Sequence, residues 1–195
     1  MAELHTPYYL GYIHPLLAVA GQHRVVVSGT SLGGLLGMAL AVSAPDAPAG
    51  LVLNDIGPEI DPAEARRLMT MISVDAPQPD WETAVRALQG MFPGLTFRHD
   101  ATWMTMAKNT WVPGDDGRLH FDWDTSLSRP ALRRTVAQPD LWRLYGALRH
   151  IPVLALRGEN SRVLSKGSFD RMAERKPGLA RVTVAGTAYA LPWMN

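Results

Sequence analysis

The 195-residue sequence contains no cysteine, and that absence removes several classes of function at once. Without thiols there is no disulfide framework, no thiolate metal site and no cysteine nucleophile. Any nucleophile is therefore a hydroxyl, a carboxylate or an amine. Neither sign of charge dominates, with 19 Lys and Arg against 18 Asp and Glu, so no net field recruits nucleic acid or an anionic membrane surface. The expected ligand is a neutral or apolar small molecule. No apolar run approaches the roughly 20 residues that cross a bilayer, and the first residues, MAELHTPYYLGYIHP, show no basic region followed by an apolar core and a cleavage site. A cytoplasmic location is the default expectation. Histidine is scarce too, with 6 in the chain and none after His150.

What is present is enough apolar residue, 47% of the chain, to bury one sizeable core. Leu10, Ile13, Leu16, Leu17 and Ala20 recur at helical spacing and stop at Gly21, although Pro15 inside that pattern predicts a kink or a late start. RVVVSG then reads as a buried parallel strand, SLGGLLGMALAVSA as an apolar helix and GLVLND as a second strand. Strand, helix, strand is a crossover unit and predicts an α/β fold. IPVLALRGEN and ARVTVAG supply two further strands, making about four in parallel. Residues 1–60 and 149–195 are thus expected to form the core. Residues 61–148 read as a helical lid or insertion, opening on an Asp61-Pro62-Ala63-Glu64 capping box and continuing in helical stretches around Trp81, Trp103 and Trp142.

Gly29-Thr30-Ser31-Leu32-Gly33 matches G-x-S-x-G and falls between an apolar strand and an apolar helix. In that context the glycines allow a sharp turn that exposes the Ser31 oxygen. Gly33 and Gly34 leave room for strand and helix to pack closely, and the Leu32 N–H at the helix start can donate to a developing oxyanion. The bland alternative is a small-residue turn without chemistry. Asp55, at the end of the next strand, reads as a turn residue in NDIGP. Glu159 reads as a solvated or capping group. His99 and His120 lie in the presumed lid, where they could hang over Ser31; His150 belongs at the opposite end of the sheet, and His5, His14 and His23 away from the site. Trp103, Trp111 and Trp123 line an apolar pocket or simply pack. The carboxylates of DDGRLHFDWD have no recognisable ligand spacing, and neither a metal nor a cofactor is expected.

With VSGTSLGGLLGM, LVLNDIGPEI and IPVLALRGENS in this order, the chain resembles the α/β-hydrolases, esterase-like members above all. The resemblance implies a partial α/β-hydrolase fold with a lid and Ser31 as nucleophile. It also places the family acid at Arg162 and the family base at Tyr189, and neither residue type suits its role: arginine cannot orient an imidazole, and tyrosine titrates near 10. Family members carry further strands and a second oxyanion donor ahead of the first helix seen here. Two functions follow: an esterase of at most weak activity on small esters, with Asp55 as replacement acid, or a catalytically silent relative. The three valines Val25–Val27, central in the family, would form an open sheet edge and favour a homo-oligomer.

Overall fold

The computed structural model describes residues 2–95, 97, 99–128 and 140–188. Helix α1 (Ala2–Val19) runs through Pro15 without a break, so the local penalty of roughly 3 kcal/mol is outweighed. The compensation comes from packing on α2 (Leu32–Ser43), to which His14 is also tied through the Ser43 hydroxyl at 3.2 Å. Gly21 closes α1 at φ 63°, with Gln22 N–H donating to the Leu17 carbonyl and Gly21 N–H to that of Ala18. A left-handed glycine satisfies the last carbonyls in this way.

The β-branched run after Gly21 forms β1 (Val25–Thr30), and α2 leads to β2 (Pro48–Asn54). Strands β5 (Val153–Gly158) and β6 (Ala180–Val184) complete a four-stranded sheet, all parallel, in the order β1-β2-β5-β6. Helix α2 lies against β1 and β2 on one face. Its Gly37 permits that approach, since an added methyl would sit 3.2 Å from Val27 Cγ1 and against Leu51. Val27, Leu51, Leu53 and Ala155 therefore share a core with Met38, Phe169 and Met172, the last two from α7 (Lys166–Arg175).

Between β2 and β5 come α3 (Pro62–Ser73), α4 (Trp81–Met91), α5 (Asp100–Lys108) and α6 (Leu141–Gly146). Asp61 caps α3 by accepting from the N–H groups of Ala63 and Glu64. The sequence pattern suggests helices only, but WVPGDDGRLHF folds as an antiparallel hairpin of β3 (Trp111–Pro113) and β4 (Leu119–Phe121). Its cross-strand Trp111 and Phe121 rings lie 5.3 Å apart, and Phe121 stacks on Trp123 at 4.1 Å. Aromatic pairing across the hairpin stabilises it more than the turn-rich sequence advertises. Trp103 and Trp111 are buried in a second apolar cluster with Leu88, Leu95 and Phe121, and Trp123 packs against it. They are packing residues.

The hairpin is also held by charge. His120 lies between two carboxylates, Nδ1 at 2.6 Å from Asp75 and Nε2 at 3.0 Å from Asp116, while Asp75 also accepts from the Phe121 N–H. Those hydrogen bonds, Asp75 first and Asp116 second, raise the His120 pKa above its ordinary 6.5. A raised histidine pKa contributes stability below the unfolded value that is lost as pH rises through the folded one. The melting temperature of the protein should therefore exceed that of His120→Gln by most at pH 6 and below, with the gap closing toward pH 9. A pH-independent gap in thermal unfolding would contradict this.

Candidate active site

In a parallel sheet every strand-to-helix connection opens at the same end, and the candidate residues collect there. Ser31 follows β1, Asp55 follows β2, Glu159 to Ser161 follow β5, and Gly186 to Ala188 follow β6.

Ser31 has φ 50° and ψ −118°, a conformation that a non-glycine residue holds only when its surroundings force it. The forcing is visible. A methyl on Gly29 would overlap the Gly33 carbonyl, and one on Gly34 would meet Ile56 Cγ2 and lie 3.1 Å from the Gly29 carbonyl oxygen. Gly29 and Gly34 are therefore the residues that close the turn. Gly33 is not, because a methyl there would meet open space; what matters at Gly33 is its backbone, which crowds Gly29. The Ser31 carbonyl accepts from the N–H groups of Gly34 and Leu35, starting α2 immediately. Leu32 is the first helical residue, so its N–H has no acceptor within the helix.

One residue earlier, the Thr30 hydroxyl accepts from Asn54 Nδ2 at 2.9 Å, joining the end of β1 to the end of β2. Asn54 is fully buried, and its Oδ1 has no partner among the described residues. Asp55 beside it is 1% exposed and also left-handed, at φ 52°. Its Oδ1 accepts from the Gly158 N–H at 3.0 Å and its Oδ2 from the Ser161 hydroxyl at 2.8 Å. Ser161 in turn accepts from the N–H groups of Val163 and Leu164. Asp55 thus clasps the β5 loop, with no histidine among its described partners. Burial pushes its pKa up to about 6, against the opposing pull of Ser161, Gly158 and Arg157. Ser161 was legible in GENS as a hydroxyl beside the acid position, but its pairing with Asp55 spans 106 residues and no local pattern reveals it.

Arg162, at the family acid position, reaches Glu64 of α3, with Nε 3.5 Å from Oε2. Glu64 is 4% exposed and is also bonded by Arg67 at 2.7 Å. The capping-box glutamate therefore serves as an ion-pair centre between α3 and the loop after β5. Glu159 accepts from the Gly186 N–H at 2.7 Å and so ties the loop after β5 to that after β6. Tyr189, at the family base position, lies outside the described residues. Among the histidines, His120 has both ring nitrogens engaged by Asp75 and Asp116, which leaves neither for a serine and corrects the expectation that it could serve Ser31. His99 is exposed at the start of α5, and His150 precedes β5 beside Arg149.

Because the folded-state pKa of Asp55 is raised, its contribution is full below pH 4 and is lost as pH rises through about 6. Relative to Asp55→Asn, the unfolding free energy of the protein should fall by about 2–3 kcal/mol between pH 4 and pH 7. Urea unfolding at three pH values reads this directly, and a flat difference would rule it out.

Comparison with known proteins agrees with this geometry. A family model described as the alpha/beta hydrolase family matches residues 5–194. The 3-hydroxybutyrate-oligomer hydrolase of Cupriavidus necator is 28% identical over 195 residues, covering 94% of this chain and 65% of that protein. Among solved structures, an alpha/beta hydrolase from Novosphingobium aromaticivorans superposes with a TM-score of 0.84 at 38% identity, over 95% of this chain and 66% of its own. An esterase from Mycobacterium tuberculosis superposes at 0.66 and 21% identity, over 92% of this chain and 59% of its own. This chain spans just under two thirds of the length of the first two. With the strained serine at the end of β1 and a family match over nearly every residue, the protein belongs to the alpha/beta hydrolase family.

Proposed function

We propose that the protein is a serine hydrolase of small carboxylic esters whose turnover is slow. The observation that carries this reading is the backbone of Ser31, held at φ 50° on a turn built by Gly29 and Gly34. Strain of this kind, on the order of 1–3 kcal/mol, is retained where it aims a reactive group. Ser31 Oγ attacks the ester carbonyl, the Leu32 N–H donates to the oxyanion, and the alcohol departs with a proton to leave an acyl-serine that water hydrolyses. The names of two relatives, an esterase and a 3-hydroxybutyrate-oligomer hydrolase, are in keeping with an ester substrate.

The reaction is slow because the serine proton has no well-matched acceptor among the described residues. Arginine at 162 cannot accept the proton and lies 3.5 Å from Glu64, and Asp55 has its oxygens on Gly158 and Ser161, so the role of Asp55 as replacement acid requires that clasp to open. The same facts favour a second reading, a family member without catalysis. Release of nitrophenol from a short-chain nitrophenyl ester decides between them. The intact protein should exceed Ser31→Ala by at least tenfold, and equal rates would establish the silent reading.

A double change, Arg162→Asp with Tyr189→His, should raise that rate more than the product of the single changes, because nucleophile, base and acid act as a unit. Arg162→Asp alone places a second carboxylate near the buried Glu64, so it should also lower the melting temperature. Multiplicative rates in this cycle would show that 162 and 189 do not act together.

A further inference from the structure

Arg157 ends an otherwise apolar row on β5. Val153 and Ala155 point from the strand into the core shared with α2 and α7, and Arg157, two residues further, leaves the sheet on the same face with only 8% of its surface exposed. Its register partner on β6 is Thr183, and Arg181 lies two residues before that. A guanidinium at this depth is ordinarily paired with a carboxylate. Among the described residues Arg157 is in no ion pair. Its Nε donates to the Leu164 carbonyl at 2.8 Å and its Nη1 to the Glu159 carbonyl at 3.1 Å, while Nη2 has no acceptor among the described residues and is not sealed from solvent. The charge of Arg157 draws the Asp55 carboxyl downward against the effect of burial, but both Asp55 oxygens are spent on Gly158 and Ser161.

This guanidinium lines a groove of about 540 Å³ between α7 and the sheet, a size within the range of small-molecule sites. All the residues that line the groove are described ones. Its two carboxylates are already engaged: Asp170 takes Lys166 at 2.7 Å and Arg181 at 3.1 Å, and Glu159 accepts from the Gly186 N–H at 2.7 Å. Arg157, Lys166 and Arg181 thus leave the groove one positive charge in excess. The exposed Thr183 hydroxyl adds a donor that has no partner among the described residues. Phe169 contributes little apolar surface, being 5% exposed beneath the Arg181 guanidinium. A ligand here meets polar groups.

We propose that the groove between α7 and β6 binds a small phosphate monoester, its phosphoryl oxygens held by Arg157 Nη2, the Lys166 ammonium and the Thr183 hydroxyl. Lys166 has three N–H donors and Asp170 occupies one. Donors arriving from β5, β6 and α7 suit the three outer oxygens of a tetrahedral phosphoryl group better than the two coplanar oxygens of a carboxylate. The groove exceeds the volume of inorganic phosphate and leaves room for a polar alcohol such as a sugar. Ser31 follows β1, at the other end of the strand order β1-β2-β5-β6, so this ligand does not compete with an ester for the serine. It does reach the candidate active site indirectly, because the two carbonyls that Arg157 holds, those of Glu159 and Leu164, bracket the loop carrying Ser161 and Arg162. The proposal stands apart from the hydrolase reading, since its readout is binding.

The test is calorimetry on the full chain with glucose 6-phosphate and inorganic phosphate as probes, and with glucose and gluconate as neutral and carboxylate controls. Glucose 6-phosphate should bind one-to-one with a Kd below about 1 mM, and glucose and gluconate at least tenfold more weakly. Arg157→Gln should abolish binding. Lys166→Gln and Thr183→Val change exposed side chains; each should weaken binding at least threefold, and they keep the test open where Arg157→Gln fails to fold, which circular dichroism reports. Lys108→Gln removes the same charge from the surface of α5 and should leave the affinity unchanged. No saturable binding of either phosphate overturns the proposal. So does gluconate binding as tightly as glucose 6-phosphate, or an equal loss of affinity in Lys108→Gln, because the attraction is then for negative charge in general.

Discussion

Parallel strand pairing governs both the site and the surface of this protein. Because β1, β2, β5 and β6 run in one direction, their exits meet at one end of the sheet, and residues as distant in sequence as Ser31, Asp55, Ser161 and Gly186 become neighbours of that end. The same pairing demands cover on two faces. One face has it from α2 and α7, while on the other, among the described residues, Asn54 and Leu156 are buried and Val26 and Val182 are exposed.

At the strand exits the chain is locked by polar groups that water does not reach. Asn54 reaches Thr30, Asp55 clasps Gly158 and Ser161, and Ser161 orders the turn through Val163 and Leu164. A buried carboxylate is costly unless its oxygens are filled, and here both are. That explains how Asp55 can sit left-handed and buried, with its pKa raised only to about 6. It also distinguishes Asp55 from an acid that orients a base: its hydrogen bonds serve the loop after β5. The position that the family uses for an acid, Arg162, looks away toward α3 and closes an ion pair with Glu64. Helix α3 and the loop after β5 are joined by charge at the place where a triad would be completed.

The second apolar cluster, around Trp111 and Leu88, gives the segment between β2 and β5 its own packing. Its hairpin was unreadable as structure in the sequence because WVPGDDGR is dense in turn formers and each strand is only three residues long. Three-residue strands hold through the residues they face. Trp111 opposite Phe121, and His120 between Asp75 and Asp116, are contacts that exist only after the chain has folded back from residue 75.

The sequence by itself determined the elements that local chemistry dictates. β-Branched runs gave the strands, Gly29, Gly33 and Gly34 around Ser31 the elbow, Gly21 the end of α1, and Asp61 a cap, since each is signalled by residues within a few positions. It also determined that positions 162 and 189 hold an arginine and a tyrosine. Only the tertiary structure decided what the charged and polar groups do with one another. That Glu64 takes Arg162, that Asp55 takes Ser161, that His120 is consumed by two carboxylates, and that α1 passes through Pro15 to pack on α2 all rest on partners far away along the chain. Hydrogen bonds and ion pairs act over a few ångströms in space, and distance in sequence does not encode them.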